Sequence, residues 1–396
     1  MASKFLEVGF LKILSASGVF VFSFVYTMLN GLDSFGQFSF MLAVSNFAII
    51  FGRYGSEYSV YGSFIREYQT DQSWAFSQIN SLVLYSLIKA IIFFVVFLLL
   101  IEHKNIVYPL YFFFYVFVFS IVQPYCFALR AIKKFKSSFL LDPSFFMLGM
   151  ALAMFVCSVF SLSMYFEFIF IFLTVLHFFT FLFVCSSLLK CGFRSLNFQG
   201  FVTYHKENVG KFIHSINEYI CYWGVVVFFG GFLDNASVGL LSWGIRVFQV
   251  GVLIVGIRNT VDAPSVMLAE SRYSIFLSSV AHNAKITWLP LILGTLLFFG
   301  VVNFYGDDFE KTAALILYVF FLAAYVRFIF GLIFYIYNDV ANTYQHLMVL
   351  VGVSAVMVGS LIIAFPITAV VSSFVFFVCW IVMILHSMRV IRSKNV

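Results

Sequence analysis

Apolar residues in this chain gather in windows of about twenty, divided by short polar breaks, and that spacing limits the fold more than any other feature. An α-helix needs about 20 apolar residues to cross the hydrocarbon core of a bilayer, and in lipid only helices and closed barrels satisfy their own backbone. Twelve windows can be read, at 10–29, 37–56, 80–101, 108–128, 139–160, 166–189, 212–232, 239–258, 286–305, 312–336, 344–364 and 367–388. The second is the most interrupted, with Gly52, Arg53, Gly55 and Glu57 in its later part. Composition agrees: 63% of the 396 residues are hydrophobic and 10% are charged, where soluble domains carry about a quarter. With a mean hydropathy of +1.03, the expected class is an all-α integral membrane protein with about 12 transmembrane helices.

Basic residues set the expected orientation. Lys4, Lys12, Arg66, Arg130, Lys133, Lys134, Lys136, Lys190, Arg194, Lys206, Lys211, Arg272, Lys285, Arg389, Arg392 and Lys394 fall in one set of connections. The opposite set holds Lys104 and Lys311, with acidic Asp33, Asp234, Asp307, Asp308 and Glu310. The positive-inside rule then puts both termini in the cytoplasm, which an even span count satisfies. The first apolar run lacks a small-residue cleavage site and reads as a retained helix. The longer connections, 57–79, 190–211 and 259–285, are cytoplasmic on this map. The last, with Glu270, Arg272 and Lys285 among Met267, Leu268, Ile275 and Phe276, suits an amphipathic helix on the inner leaflet. The basic clusters at 130–136 and 190–211 are topology signals facing anionic lipid. Cys126, Cys157, Cys185, Cys191, Cys221 and Cys379 lie almost entirely in apolar runs, without metal-ligand spacing, and read as packed free thiols.

Five charges draw attention within spans, away from the first few residues of each. Lys89 lies about nine residues into the third span, Glu218 about seven into the seventh, Arg246 about eight into the eighth and Arg327 about fifteen into the tenth. Arg53 lies deep in the second. A charge at such depth costs about 2.5–3.5 kcal/mol on insertion scales, so it faces a partner or a water-filled cavity. A short repeat also recurs. Leu32-Asp33 is followed by Gly36-Gln37-Phe38-Ser39-Phe40, and Leu233-Asp234 by Gly239-Leu240-Leu241-Ser242-Trp243. Each motif follows the first span of a six-span half, which suggests parallel halves, 1–200 and 201–396, with a substrate between them.

The order of motifs carries a resemblance. Phe35-Gly36-Gln37-Phe38 leads to Arg53-Tyr54-Gly55, and Ser237-Val238-Gly239-Leu240-Leu241-Ser242-Trp243-Gly244-Ile245-Arg246-Val247 opens the eighth span. Pro264 follows that span, and Phe304-Tyr305-Gly306-Asp307-Asp308-Phe309 closes the ninth. In this order the chain resembles the Wzx-type O-antigen flippases of the multidrug/oligosaccharidyl-lipid/polysaccharide exporter superfamily. The resemblance implies two six-helix bundles related by a pseudo-two-fold axis around a central cavity. It implies alternating-access transfer of an undecaprenyl-pyrophosphate-linked oligosaccharide across the bacterial inner membrane, for O-antigen synthesis. Membrane lipids and the polymerase and chain-length proteins of that pathway would be its partners, with no nucleic acid and no cofactor. Relatives carrying lipid-linked peptidoglycan precursor use cavity arginines on the first, second and eighth helices. Arg53 and Arg246 occupy comparable helices here, whereas the first span has only Lys12 at its edge.

On this reading Arg246, Lys89, Arg327 and Arg53 are the substrate-binding cations for the pyrophosphate, since Arg forks phosphate oxygens and Lys acts as a point charge. Arg53 equally suits the inner end of its helix, and Lys89 and Arg327 have stems long enough to snorkel. Glu218 either pairs with a neighbouring cation or titrates and couples transport to an ion. No bond is made or broken, so no catalytic residue and no metal is expected. His177 reads as a packed polar residue, and Arg258 and Asp262 as boundary features at the cytoplasmic mouth. Tyr222 and Trp223 are candidates to stack on sugars, and Pro124, Pro264, Pro290 and Pro366 are candidate bends. The alternatives are a cation-coupled exporter of small molecules, which would want an acidic cavity, and a membrane-embedded O-antigen polymerase, which would want a large loop.

Overall fold

The computed structural model describes residues 2–55, 65–132, 134–160, 166–190, 198–250, 272–304, 308–331, 333, 336–337, 341–364 and 367–394. Helices dominate, and no strand occurs among the described residues. In chain order they are α1 (Ala2–Arg53), α2 (Ile65–Thr70), α3 (Gln72–Leu100), α4 (Pro109–Ala131), α5 (Phe135–Leu140), α6 (Pro143–Val159) and α7 (Phe166–Leu189). There follow α8 (Phe198–Phe229), α9 over residues 235–250, α10 (Arg272–Phe304), α11 (Asp308–Ile329), α12 (Thr343–Ile363) and α13 (Ala369–Ser393). Nine described helices are long and apolar enough to cross a membrane, and the first, Gly9–Arg53, is 45 residues long. It is broken at Gly31 and so holds two spans. Adding the shorter apolar α6 and the helix 235–250 gives twelve segments, in the places the hydropathy windows occupy.

Backbone chemistry explains several boundaries. Gly31 has φ 80° and ψ 169°, a region essentially closed to residues with a Cβ, so a glycine breaks α1. At the other end of this helix Tyr54 has φ 51° and Gly55 φ 73°. Two left-handed residues in succession terminate a helix sharply. Asp142 opens α6 as N-cap, its carboxylate accepting from the Ser144 amide at 2.9 Å, with Pro143 at the first helical position. Asn342 opens α12 in a reciprocal capping box with Gln345.

Helix and hydropathy do not stop together. α3, α8 and α10 begin at Gln72, Phe198 and Arg272, about two to four turns before the apolar windows at 80, 212 and 286. Residues 272–285, expected on the leaflet surface as part of an amphipathic helix, are instead the first turns of α10. Propensity, unlike hydropathy, does not distinguish a polar helical turn from an apolar one. α11 ends at Ile329, inside the tenth window, where the Gly331 amide donates to Phe328 O in a tightened turn, and residues 333, 336 and 337 beyond that turn are helical again. Pro124 and Pro290 lie inside α4 and α10. Arg258, Asp262, Pro264, Pro366 and the sequence 305–307 lie outside the described residues.

The chain packs as two compact units. The first holds Ser17–Gly31 and Phe40–Ile216, and the second Met1–Ala16, Leu32–Ser39 and Asn217–Val396. In the first, Phe119 stacks on His177 at 4.8 Å and meets Phe146 edge-on at 5.5 Å, while Phe146 meets Phe170 at 5.5 Å. His177 is 4% exposed with Nε2 3.3 Å from Leu141 O, so it is a packed polar residue. Gly52 lets α1 approach α3, since a Cβ there would lie 2.4 Å from Ser86 O. In the second, Gly244 faces the Phe320 ring and Gly224 the Met357 thioether end. Cys126, Cys185, Cys221 and Cys379 are buried free thiols and Cys157 is half-buried; Cys191 lies outside the described residues.

The two copies of the Leu-Asp…Gly motif meet within the second unit. A Cβ on Gly36 would lie 1.8 Å from Asn235 O, and one on Gly239 would lie 2.6 Å from Leu32 O. Each glycine thus admits the backbone of the other motif. Phe35 and Trp243 flank the contact, with ring centroids 5.9 Å apart.

Candidate functional site

Each of the four intramembrane cations singled out by the sequence rests on an aromatic ring. In the first unit the Arg53 guanidinium lies 5.1 Å from the Phe127 centroid, and the Lys89 ammonium 4.9 Å from that of Tyr54. In the second unit Arg246 lies 5.0 Å from Trp223 and Arg327 5.3 Å from Trp380. Arg246, Arg327 and Arg53 are 3%, 7% and 8% exposed, and Lys89 is half-buried. A ring face under a desolvated cation recovers about 2 kcal/mol, comparable to the insertion cost. The aromatic-rich composition therefore has an electrostatic use as well as a packing one.

Local geometry fixes each seat. Lys89 and Arg53 are drawn together through Tyr54, the residue after Arg53 and the ring beneath Lys89. Tyr54, left-handed at the end of α1, stacks on Phe212 of α8 at 4.1 Å and 18°. Phe127 serves two cations, for Arg130 lies 5.5 Å from the same centroid. Arg130 donates to Ser138 Oγ at 2.9 Å and pairs with Asp142, tying the end of α4 to the start of α6.

In the second unit Arg246 and Arg327 flank one aromatic cluster. Trp380 beneath Arg327 meets Tyr222 edge-on at 5.3 Å and lies 5.1 Å from Phe248. Tyr222 neighbours Trp223 on α8, and Phe248 sits two residues past Arg246 on α9. Arg246 Nη1 donates to Gln249 Oε1 and Arg327 Nη1 to Gly331 O, both at 3.0 Å. The second bond uses a carbonyl freed where α11 ends. Glu218 is half-buried on α8, one turn before Tyr222. Tyr222 and Trp223, candidates for sugar stacking, are here occupied by Phe248 and Trp380 and by Arg246 respectively. Sequence reasoning missed Phe127 and Trp380 as seats, because a chain with 57 Phe residues offers too many equivalent rings.

These features define a class: an all-α, multi-pass membrane protein of about twelve spans whose interior carries cations seated on rings. The fold is similar to one solved by crystallography, that of the eukaryotic MATE transporter AtDTX14, with a TM-score of 0.53 and 13% sequence identity over 100% of this chain and 99% of that one. At that identity the likeness is one of fold, and the fold is that of a MATE transporter. No family profile and no curated protein sequence matches the chain.

Proposed function

We propose that this protein is a flippase that moves an undecaprenyl-pyrophosphate-linked oligosaccharide from the cytoplasmic to the periplasmic leaflet of a bacterial inner membrane. The observation that carries the reading is the charge inside the spans: Arg53, Lys89, Arg246 and Arg327, two in each unit, all held on aromatic rings. A diphosphate cannot cross hydrocarbon bare, and cations set inside the spans are chemically suited to accompany it. Arginine keeps its charge at any physiological pH and offers phosphate a planar fork. The polyprenyl tail stays in lipid while the head group passes, so the protein supplies binding and no chemistry. The halves 1–200 and 201–396, each with one copy of the glycine motif, would alternate around this cargo with both termini cytoplasmic.

Deletion of the gene tests the reading. The expected result is accumulation of the lipid-linked repeat unit on the cytoplasmic leaflet, restored by the wild-type chain and not by Arg246→Ala made at equal level. Single repeats joined to finished outer lipid would instead indicate a polymerase. A second reading, a cation-coupled exporter of small solutes, is favoured by the likeness to a MATE transporter. It predicts normal surface polysaccharide after deletion together with increased sensitivity to toxic organic cations.

A further inference from the structure

The last turn of α13 and the first turn of α10 border an open pocket of about 530 Å³ within the second unit, lined by Tyr273, Met388, Arg389, Arg392 and Ser393. That volume is in the range of about 300–1,000 Å³ typical of small-molecule sites. Arg389, Arg392 and Ser393 are spaced i, i+3, i+4, which puts them on one face of α13. Val390 and Ile391, 4% and 0% exposed, anchor the other face and fix the register of that turn. The helix continues to Ser393 with Lys394 as its C-cap, so both arginines stand on ordered backbone.

We infer that this pocket binds the phosphate of an anionic phospholipid head group. Two guanidinium groups one turn apart offer a paired fork to phosphate oxygens, and no carboxylate is among the described lining residues. Ser393 Oγ already donates to Val390 O at 2.8 Å, so the donors toward an anion are the arginines and the Tyr273 phenol. Met388 and the Tyr273 ring supply an apolar wall, which suits a glycerophospholipid better than a bare ion. Leu277, 47% exposed one turn beyond Tyr273 on the same face of α10, extends that apolar surface toward acyl chains. Basic pockets between membrane helices are suited to such head groups. This site is independent of the cargo cations and lies on other helices or other turns.

The test uses the full chain in nanodiscs of phosphatidylcholine with or without phosphatidylglycerol, reading co-purified phosphatidylglycerol by mass spectrometry and the thermal midpoint. Phosphatidylglycerol should raise the midpoint of the wild type, and each of Arg389→Gln and Arg392→Gln should weaken retention about fivefold. Lys394→Gln, a charge loss of equal size outside the lining, should leave retention unchanged. Arg389→Lys with Arg392→Lys should retain less lipid than the wild type, because lysine lacks the fork. Equal retention by the wild type and the double glutamine variant overturns the site. So does an equal loss from Lys394→Gln, or full retention by the lysine pair, since either means diffuse charge. Inorganic phosphate and glycerol phosphate form the soluble arm. A midpoint shift with these and none with phosphatidylglycerol keeps an anion site and overturns the lipid as its occupant. Both arginines are exposed, and an unchanged size-exclusion profile verifies that the glutamine variants fold.

Discussion

Gly36→Ala should be among the most damaging single-methyl changes available to this chain. The new Cβ would sit 1.8 Å from Asn235 O, 2.8 Å from Asn235 C and 2.9 Å from Gly239 N, all backbone atoms. Real Cβ atoms essentially never approach closer than 3.0 Å, so the two helices must separate by more than 1 Å. Overpacking commonly costs about 1–3 kcal/mol, and with no flexible side chain to yield the upper end applies. Gly239→Ala meets Leu32 O at 2.6 Å and otherwise the Leu32 side chain, so about 2 kcal/mol is expected. Because both substitutions open the same contact, the double variant should cost less than the two together. The assay is unfolding in detergent followed by tryptophan emission, with Trp243 beside Phe35 as a local reporter. Gly300→Ala, with nothing within 4 Å of its Cβ, is the control and should be neutral or slightly stabilising. If Gly36→Ala unfolds at the control's midpoint, or the two effects simply add, the reciprocal contact does not hold the motifs together.

Other expectations are as direct. Arg246→Ala should abolish delivery of the repeat unit while Arg246→Lys retains part of it, as measured by surface polysaccharide at matched protein level. Tyr54→Phe should keep Lys89 seated, whereas Tyr54→Leu should lower stability by about 1 kcal/mol, read as a thermal midpoint. Trp380→Leu should cost about 3 kcal/mol or more, since the ring is 1% exposed and touches Tyr222, Phe248 and Arg327, while Phe183→Leu at 84% exposure should be silent. Asp142→Ala removes both the α6 cap and the partner of Arg130, a loss of about 1–2 kcal/mol measurable by the same unfolding curve.

The span count was readable because hydrocarbon imposes one length on every segment, and twelve windows met it. Boundaries at polar ends were not, as α8 shows: Gln199, Lys206 and Glu207 are helical and yet carry no hydropathic mark. Charges inside spans were visible for the same reason that the spans were, by contrast with their neighbours. Their seats were hidden, for Trp223 and Trp380 meet Arg246 and Arg327 across separate helices, a pairing that no spacing along one helix reveals. The glycine motif offered a middle case. Its repetition could be seen in the letters, but the reciprocal approach of Gly36 and Gly239 depends on which backbone each one meets. His177 reads as packed in both views, since an isolated imidazole with no carboxylate beside it had little else to do.

α10 and α4 stand at opposite extremes of enclosure: 6% of the apolar window of Tyr273–Asn303 is buried within the protein, against 72% for Pro109–Ala131. α10 holds to α11 along one face, with Asn283 Nδ2 donating to Phe328 O and Ile329 O at 3.3 Å, Gly294 against Phe321, Thr295 Oγ1 3.1 Å from Tyr318 OH, and Phe298 stacked on Tyr318 at 4.3 Å. Away from that face, and from Tyr273 and buried Phe276, most greasy side chains serve, so descendants of this gene can rewrite the outward side of α10 far more freely than α4. Alignments of distant kin would therefore find their footing in the fourth span and lose it in the ninth.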